Sequence, residues 1–311
     1  KNLDNFEREY KRLLDSGNPL LQPIFDYIRE VKGKRIRPLL FYSFQSLVGA
    51  PSPQNATIPA LLEMLHETSL LHDDVVDNSF TRRGRDSLNA LWGNRVSVLT
   101  GDYLMARILQ LIIASGLDGV MEIVSYTALR MGEGELTQQV ITDEEAVDEE
   151  KYFQMVRDKT AGLFAAACEL GCLAAGGTKE QQHKSSLFGE YFGISFQVRD
   201  DVLDIIGSPE QMGKPICQDL LEGKVTLPLI YSLQKAASDK KQVIMDLLLS
   251  RTEEDCRQLR EFILEYGGIE QSEVKMAELS RLMLEELSAF PRSNFRDFLA
   301  TLVQENNERL R

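Results

Sequence analysis

Residues 58–77 read IPALLEMLHETSLLHDDVVD, and residues 193–206 read GISFQVRDDVLDII. Each stretch is largely apolar and carries the same acidic pattern: Asp73-Asp74-Val75-Val76-Asp77 in the first, Asp200-Asp201-Val202-Leu203-Asp204 in the second. The second copy begins 127 residues after the first (200 − 73). Both place carboxylates at offsets 0, +1 and +4, and on a helix offsets 0 and +4 share a face. Carboxylates clustered this way repel one another, and burying them is costly unless a cation compensates. Two such clusters facing one cleft suit hard divalent cations, most naturally Mg²⁺ bridging to phosphate oxygens.

The stripe continues beyond the aspartates. At about 100° per residue, His66, Ser69, Asp73 and Asp77 fall within about 80° of one another on a helix running from about Ile58 to Asp77. Gly193, Gln197, Asp200 and Asp204 form a similar stripe on the second. A solvated acidic face is the competing reading of either cluster alone. Two copies with matched spacing and apolar flanks argue against it.

The same helical periodicity runs through nearly the whole chain, and no segment shows sustained strand alternation. Turn signals are sparse: Ser16-Gly17-Asn18-Pro19, Gly49-Ala50-Pro51-Ser52-Pro53, Ala175-Gly176-Gly177, Gly207-Ser208-Pro209 and Gly267-Gly268. They leave segments of roughly 15–25 residues, long for globular helices. No linker, low-complexity tract or charge block divides the chain. The expectation is one all-α domain over residues 1–311.

Composition narrows the function. With 35 Lys and Arg against 48 Asp and Glu, the net charge is −13, and no basic stripe invites nucleic acid. Hydrophobic content of 43% supplies an ordinary soluble core. Cys168, Cys172, Cys217 and Cys256 show neither a disulfide framework nor zinc spacing, so buried free thiols in a reducing, cytoplasmic compartment are expected. Cys168 and Cys172 lie one helical turn apart and could meet. The charged opening Lys1 to Tyr10 is no signal peptide. The longest apolar run, Ile108 to Leu117, is too short and too polar to span a bilayer.

Basic residues accompany the acidic ones. Arg82, Arg83 and Arg85 follow the first aspartate cluster, and Lys32-Gly33-Lys34-Arg35-Ile36-Arg37-Pro38 lies upstream. Each set alone reads as solvated surface. Beside two metal-type clusters, arginine forks and lysine point charges read as ligands for phosphate oxygens.

This ordered set resembles the trans-isoprenyl diphosphate synthases (polyprenyl synthetases). That family's two aspartate-rich motifs correspond to Asp73–Asp77 and Asp200–Asp204, and its upstream basic motif to Gly33–Pro38. Its arginine pair corresponds to Arg82-Arg83, its Lys-Thr pair to Lys159-Thr160, its glutamine to Gln197, and later lysines to Lys214 and Lys224. The matches run in order from about residue 33 to residue 224, and the set is far more specific than any one motif.

The resemblance implies an all-α isoprenoid synthase fold, a single large helical bundle around a central cavity. It also implies a trans-prenyltransferase that condenses isopentenyl diphosphate with an allylic diphosphate such as farnesyl diphosphate. Asp73, Asp77 and Asp200, supported by Asp74, Asp201 and Asp204, would bind Mg²⁺, three ions when substrate is present. Arg82, Lys159, Lys224 and Lys214 would contact the allylic diphosphate. Lys34, Arg37, His66 and Arg83 would hold isopentenyl diphosphate, and Thr160 and Gln197 would line the reacting centre. For His66, helical geometry and family position favour this over a buried, hydrogen-bonded histidine. His72 lies off the aspartate stripe and reads as structural, and His183 has no role. The resemblance gives proton removal to the released diphosphate, so no side chain is assigned as general base.

Product length is the finer expectation. The resemblance places a tunnel floor one turn before the first motif, where this chain has Thr68 and Ser69. Both are small, and neither an aromatic residue nor an insertion in the motif blocks growth. Products longer than fifteen or twenty carbons, such as quinone side chains, are therefore expected; a shorter geranylgeranyl or farnesyl product is the alternative. Met105, Tyr126 and Met131 are candidates for a deeper floor. Gly101-Asp102-Tyr103-Leu104 and Gly132-Glu133-Gly134-Glu135 also echo the family, though helix packing and a subunit interface explain them as well. The resemblance implies a homodimer with no transmembrane segment, touching membranes at most through its product. Two rival readings are a terpene cyclase and a non-catalytic partner subunit. The intact second cluster and the basic set argue against the first. The presence of every motif argues against the second.

Overall fold

The computed structural model describes residues 2–30, 33–50, 53–82, 84–116, 118–140, 147–207 and 217–308. The chain is all-α, as its periodicity predicts. Strand among the described residues is confined to β1 (Thr81–Arg82), paired antiparallel with β2 (Arg85–Asp86). This small hairpin turns at Gly84, whose φ is +74°, and lies in the basic segment that follows the first aspartate cluster.

Two compact units emerge. The first comprises Lys1–Leu129, Leu163–Gly189 and Ala289–Asp297; the second comprises Arg130–Gly162, Glu190–Ser288 and Phe298–Arg311. In the first lie α1 (Asn2–Leu13), α2 (Gln22–Glu30), α3 (Ile36–Val48), α4 (Thr57–Val76), α5 (Leu88–Trp92) and α6 (Asn94–Ser115). Helix α7 (Val120–Val140) contributes to both units. The second contains α8 (Glu149–Val156), a π turn at Arg157–Ala161, and, after α9 (Gly162–Ala174), most of α10 (Lys179–Ile206). It continues with α11 (Gln218–Leu221), α12 (Leu227–Lys235), α13 (Ser238–Ser250), α14 (Glu253–Glu265), α15 (Gly268–Ser288) and most of α16 (Asn294–Glu308).

In the first unit α4 is the central element, packed against α6, α1, α3 and α5. Its residues Ile58 to Leu65 are buried without interruption, so no amphipathic face is left to solvent there. Within this stretch the polar Glu63 pairs with Arg35 at 2.7 Å, and just before it Thr57 donates to Glu9 at 2.8 Å. Helix α4 ends where Asn78 turns left-handed (φ 51°). The aspartate motif therefore occupies its last turn, with Asp77 as the C-terminal cap. Phe44 sets its ring edge-on to Phe188 at 5.1 Å and to Phe290 at 5.5 Å, which ties distant sequence into one core.

Helix α10 opens with a reciprocal cap. Thr178 Oγ1 accepts from the Gln181 N–H at 3.2 Å, while the Gln181 side chain accepts from the Thr178 N–H at 2.9 Å. Its far end enters the second unit's core, where Val202 and Ile205 pack among Leu220, Leu229, Leu259 and Ile263.

The four cysteines are buried and unpaired. Helix α6 qualifies by length and composition as a membrane span: an 18-residue window has mean hydropathy 1.4, and 33% of it is buried. The sequence expectation weighed only the run Ile108 to Leu117, whereas the window averages over a longer part of the helix.

Candidate active site

The candidate residues divide between the units. In the first, α4 delivers His66, Thr68, Ser69, Asp73, Asp74 and Asp77, and the hairpin delivers Arg82. Asp73 is half-buried and Asp77 exposed, but Asp74 points inward and is enclosed. Arg82 meets Asp74 through Nε at 2.8 Å and Nη2 at 2.6 Å, both on Oδ1. Burial opposes charge on this guanidinium, but Asp74 and, less strongly, Asp73 and Glu67 outweigh that and hold it protonated. Asn89 Nδ2 donates to the Asp74 carbonyl at 3.1 Å, fixing the last turn of α4 from below.

Upstream, the basic segment splits by environment. Lys34 is exposed and Arg37 half-buried, its guanidinium 4.4 Å from the Phe164 ring centroid. Arg35 adopts a left-handed conformation (φ 52°) immediately before α3. Its Nε lies 2.9 Å from Glu7 and its Nη1 2.7 Å from Glu63, over the rings of Phe6 and Tyr10. This arginine ties three helices together. Arg83 and Lys214 lie outside the described residues.

His72 is placed as the structural reading expects. Its Nε2 lies 3.2 Å from the Val98 carbonyl and 3.6 Å from Asp102, against Gly101. A Cβ at Gly101 would come within 2.2 Å of that ring nitrogen. Thr68 is buried with its hydroxyl on the Met64 carbonyl (2.9 Å), and Ser69 is half-buried with its hydroxyl on the His66 carbonyl (2.8 Å). Of the deeper candidates, Met131 is buried, Met105 half-buried and Tyr126 60% exposed in the single chain.

In the second unit, the π turn and α10 bring Lys159, Thr160, Gln197 and the second aspartate motif together. Lys159 Nζ pairs with Glu135 and donates to Gln138 at 2.9 Å. The wide π turn is a form common at functional sites, and it fits only because Gly134 faces it. A Cβ there would lie 2.8 Å from the Lys159 nitrogen and 2.9 Å from Asp158 Cβ. Close helix packing accounts for this glycine.

Asp200 keeps 43% of its side chain exposed, with Arg199 Nη2 3.3 Å from Oδ1. Asp201 and Asp204 are enclosed. Asp201 accepts from Tyr152 (2.6 Å) and Gln197 (2.9 Å). Its burial, then the charge of Asp219, push its carboxyl up to about 7 against these donors. Asp204 accepts the backbone N–H groups of Gln218 (3.3 Å) and Asp219 (3.1 Å), anchoring the start of α11. It departs from the expected stripe, because chain packed over the end of α10 turns that face inward. Lys224 pairs with Glu222 at 2.6 Å and lies 3.8 Å from Asp219.

The six aspartates therefore sort by access. Asp77 is exposed and Asp73 and Asp200 are half-buried; Asp74, Asp201 and Asp204 are enclosed and bonded to arginine, tyrosine, glutamine and amide partners. No group of three His, Cys, Asp or Glu side chains forms a ready metal cage among the described residues. Accessible single carboxylates fit Mg²⁺, which retains water and substrate phosphate oxygens and needs only one or two protein carboxylates. Tyr152, Glu135, Gln138 and Asn89 were not among the expected site residues. Each lies 15 or more positions from its partner, beyond the reach of helical periodicity.

A family model described as Polyprenyl synthetase matches residues 18–265. The octaprenyl diphosphate synthase of Escherichia coli K12 is 34% identical over 294 residues, covering 93% of this chain and 90% of that protein. Heptaprenyl diphosphate synthase component 2 of Bacillus subtilis 168 is 33% identical over 306 residues, covering 97% and 86%. A crystal structure of polyprenyl synthase from Caulobacter crescentus CB15, complexed with calcium and isoprenyl diphosphate, matches with TM-score 0.92 at 30% identity, covering 100% of this chain and 95% of that one.

Proposed function

Since this chain belongs to the polyprenyl synthetase family and is a trans-prenyltransferase, we propose that it joins isopentenyl diphosphate to an allylic diphosphate such as farnesyl diphosphate and yields a long all-trans polyprenyl diphosphate. The observation that carries the site assignment is the burial of the aspartates: Asp77 is exposed and Asp73 and Asp200 are half-buried, while Asp74, Asp201 and Asp204 are enclosed.

In this reading Asp73, Asp77 and Asp200 hold a cluster of three Mg²⁺ ions. Bound there, the metal supplies positive charge that makes diphosphate a competent leaving group. Arg82, Lys159, Lys224 and Lys214 add fixed cations at the same developing charge. Lys159 must then exchange Glu135 and Gln138 for phosphate oxygens. Lys34, Arg37, His66 and Arg83 hold isopentenyl diphosphate. The allylic C–O bond breaks and its electron pair leaves with diphosphate. The isopentenyl double bond then attacks the allylic cation, and a proton passes to the released diphosphate. Thr160 and Gln197 line this reacting centre. Both units act as one catalytic domain, a reading supported by a family match that runs through each.

The small side chains Thr68 and Ser69 support the long product. A homodimer is supported by the exposed apolar residues Leu99, Ile113 (73% exposed) and Leu129 on α6 and α7. Buried free thiols support a cytoplasmic setting. The test is product length from purified protein with Mg²⁺, labelled isopentenyl diphosphate and farnesyl diphosphate. Products of thirty carbons or more support the proposal. Products stopping at twenty keep the chemistry but move the floor to Thr68 and Ser69. No incorporation by folded protein, with shorter allylic starters also tried, overturns it.

A further inference from the structure

Side chains join the segment carrying Lys159 and Thr160 to α10: Arg157 pairs with Glu190 at 3.4 Å, and two hydrogen bonds flank that pair. Tyr152, buried on α8, donates its phenol O–H to Asp201 Oδ2 at 2.6 Å. Eight residues later, Thr160 donates its hydroxyl to Gln197 Oε1 at 3.3 Å. Gln197 and Asp201 are one helical turn apart, and Gln197 Nε2 donates to Asp201 Oδ1 at 2.9 Å. The four side chains make one continuous chain of hydrogen bonds, Tyr152 to Asp201 to Gln197 to Thr160.

This chain has a direction. At pH 8, above its raised pKa, Asp201 is a carboxylate that only accepts, so it takes the N–H end of the Gln197 amide. The amide oxygen is then left toward Thr160 and takes the hydroxyl hydrogen. Turning the amide over would set its oxygen against a carboxylate oxygen, losing that bond, and would reverse the other, with the amide N–H donating to Thr160. Thr160 Oγ therefore presents lone pairs, not its hydrogen, away from Gln197. Tyr152 touches neither Gln197 nor Thr160 in this chain. It holds the Asp201 carboxylate in the one orientation that offers Oδ1 to the amide, and the Leu227 N–H assists.

The geometry points to Tyr152 as a positioning residue for prenyl transfer: through Asp201 it sets the orientation of the Gln197 amide and hence the face that Thr160 turns to the reacting centre. The inference rests on the reading of Thr160 and Gln197 given above. Tyr152 acts at a distance, so its loss weakens turnover rather than substrate capture.

The experiment is steady-state kinetics of Tyr152→Phe with isopentenyl and farnesyl diphosphates, with folding checked by circular dichroism. The kcat is expected to fall about tenfold, the size of one buried hydrogen bond to a charged group, while both KM values hold within about twofold. In a Gln197→Ala background the same substitution is expected to cost nothing further, because the relay is already cut. A purely structural role predicts additive losses and overturns the proposal. So does an unchanged kcat, or an effect confined to the Mg²⁺ concentration needed for half-maximal rate. Should Tyr152→Phe be unfolded at the assay temperature, Asp201→Asn carries the test. Asparagine keeps an acceptor for Tyr152 but offers N–H to Gln197, which turns the amide over. A wild-type kcat in that variant overturns the proposal. If wild-type protein itself shows no Mg²⁺-dependent incorporation, the functional reading fails rather than this one.

Discussion

Arg35 sits inside the basic segment from Lys32 to Pro38, yet its surroundings make it a residue of stability. Its side chain is 9% exposed and that of Glu63 4%, at 2.7 Å separation. Arg35→Met leaves the Glu63 carboxylate buried without its cation. Breaking a buried pair from one side costs about 3–5 kcal/mol. The contacts with the Phe6 and Tyr10 rings add about 1 kcal/mol; the half-exposed Glu7 adds little. At about 3 kcal/mol per molar urea, a loss of about 4–6 kcal/mol lowers the urea midpoint by about 1.5–2 M. The double variant Arg35→Met/Glu63→Leu should recover at least half of this, because the stranded charge is gone. Urea titration by circular dichroism at pH 8, paired with KM for both substrates at low urea, makes the measurement. An unchanged midpoint with a raised KM for isopentenyl diphosphate would refute the reasoning and make Arg35 a substrate ligand.

Three further outcomes are expected. Ser69→Phe should shorten the product by at least one isoprene unit at near-normal incorporation, read by chromatography; an unchanged length distribution sinks the floor assignment. Gly134→Ala forces a Cβ onto the Lys159 backbone and should cost about 1–3 kcal/mol by overpacking, with kcat falling alongside; full activity at a wild-type melting temperature would contradict the tight fit. The third concerns pH. Asp201 has its carboxyl pushed up from 3.8 to about 7, so between those values the folded state binds more protons than the unfolded state. Stability of metal-free protein therefore falls as pH rises through that window and levels off above it. At about 1.4 kcal/mol per unit the contribution is about 4 kcal/mol. Asp201→Asn should flatten that part of the pH profile of urea midpoints, and an unaltered profile would place the titration elsewhere.

Several features were readable because they depend on neighbours along the chain. The predicted helix from about Ile58 to Asp77 is α4, Thr57–Val76, and the turn signals at Gly17, Gly176 and Gly267 coincide with positive φ. The aspartate offsets were visible too, but which carboxylates are spent internally was not. Asp74 is claimed by an arginine eight residues on, Asp201 by a tyrosine 49 residues back, and Asp204 by amides 14 and 15 residues ahead. Helical phase cannot report such partners. It places Asp204 on one stripe with Asp200, although chain packed over the end of α10 encloses Asp204 and leaves Asp200 open. In the basic segment Arg35 looks no different from Lys34 and Arg37, because Glu7 and Glu63 each lie 28 residues away. The hairpin at Gly84 has strands of two residues, too short to alternate. The π turn at Arg157–Ala161 depends on space opened by Gly134 on another helix.

The most direct test of the account is a Mg²⁺ titration of labelled isopentenyl diphosphate incorporation in wild type, Asp73→Asn and Asp200→Asn. Loss of an accessible carboxylate at the leaving-group metal should lower kcat about 10²–10³-fold, the range for removing a group that stabilises developing charge, and should raise the Mg²⁺ concentration needed. Wild-type rates and wild-type Mg²⁺ dependence in both variants would contradict the claim that the outward aspartates hold the metal for prenyl transfer.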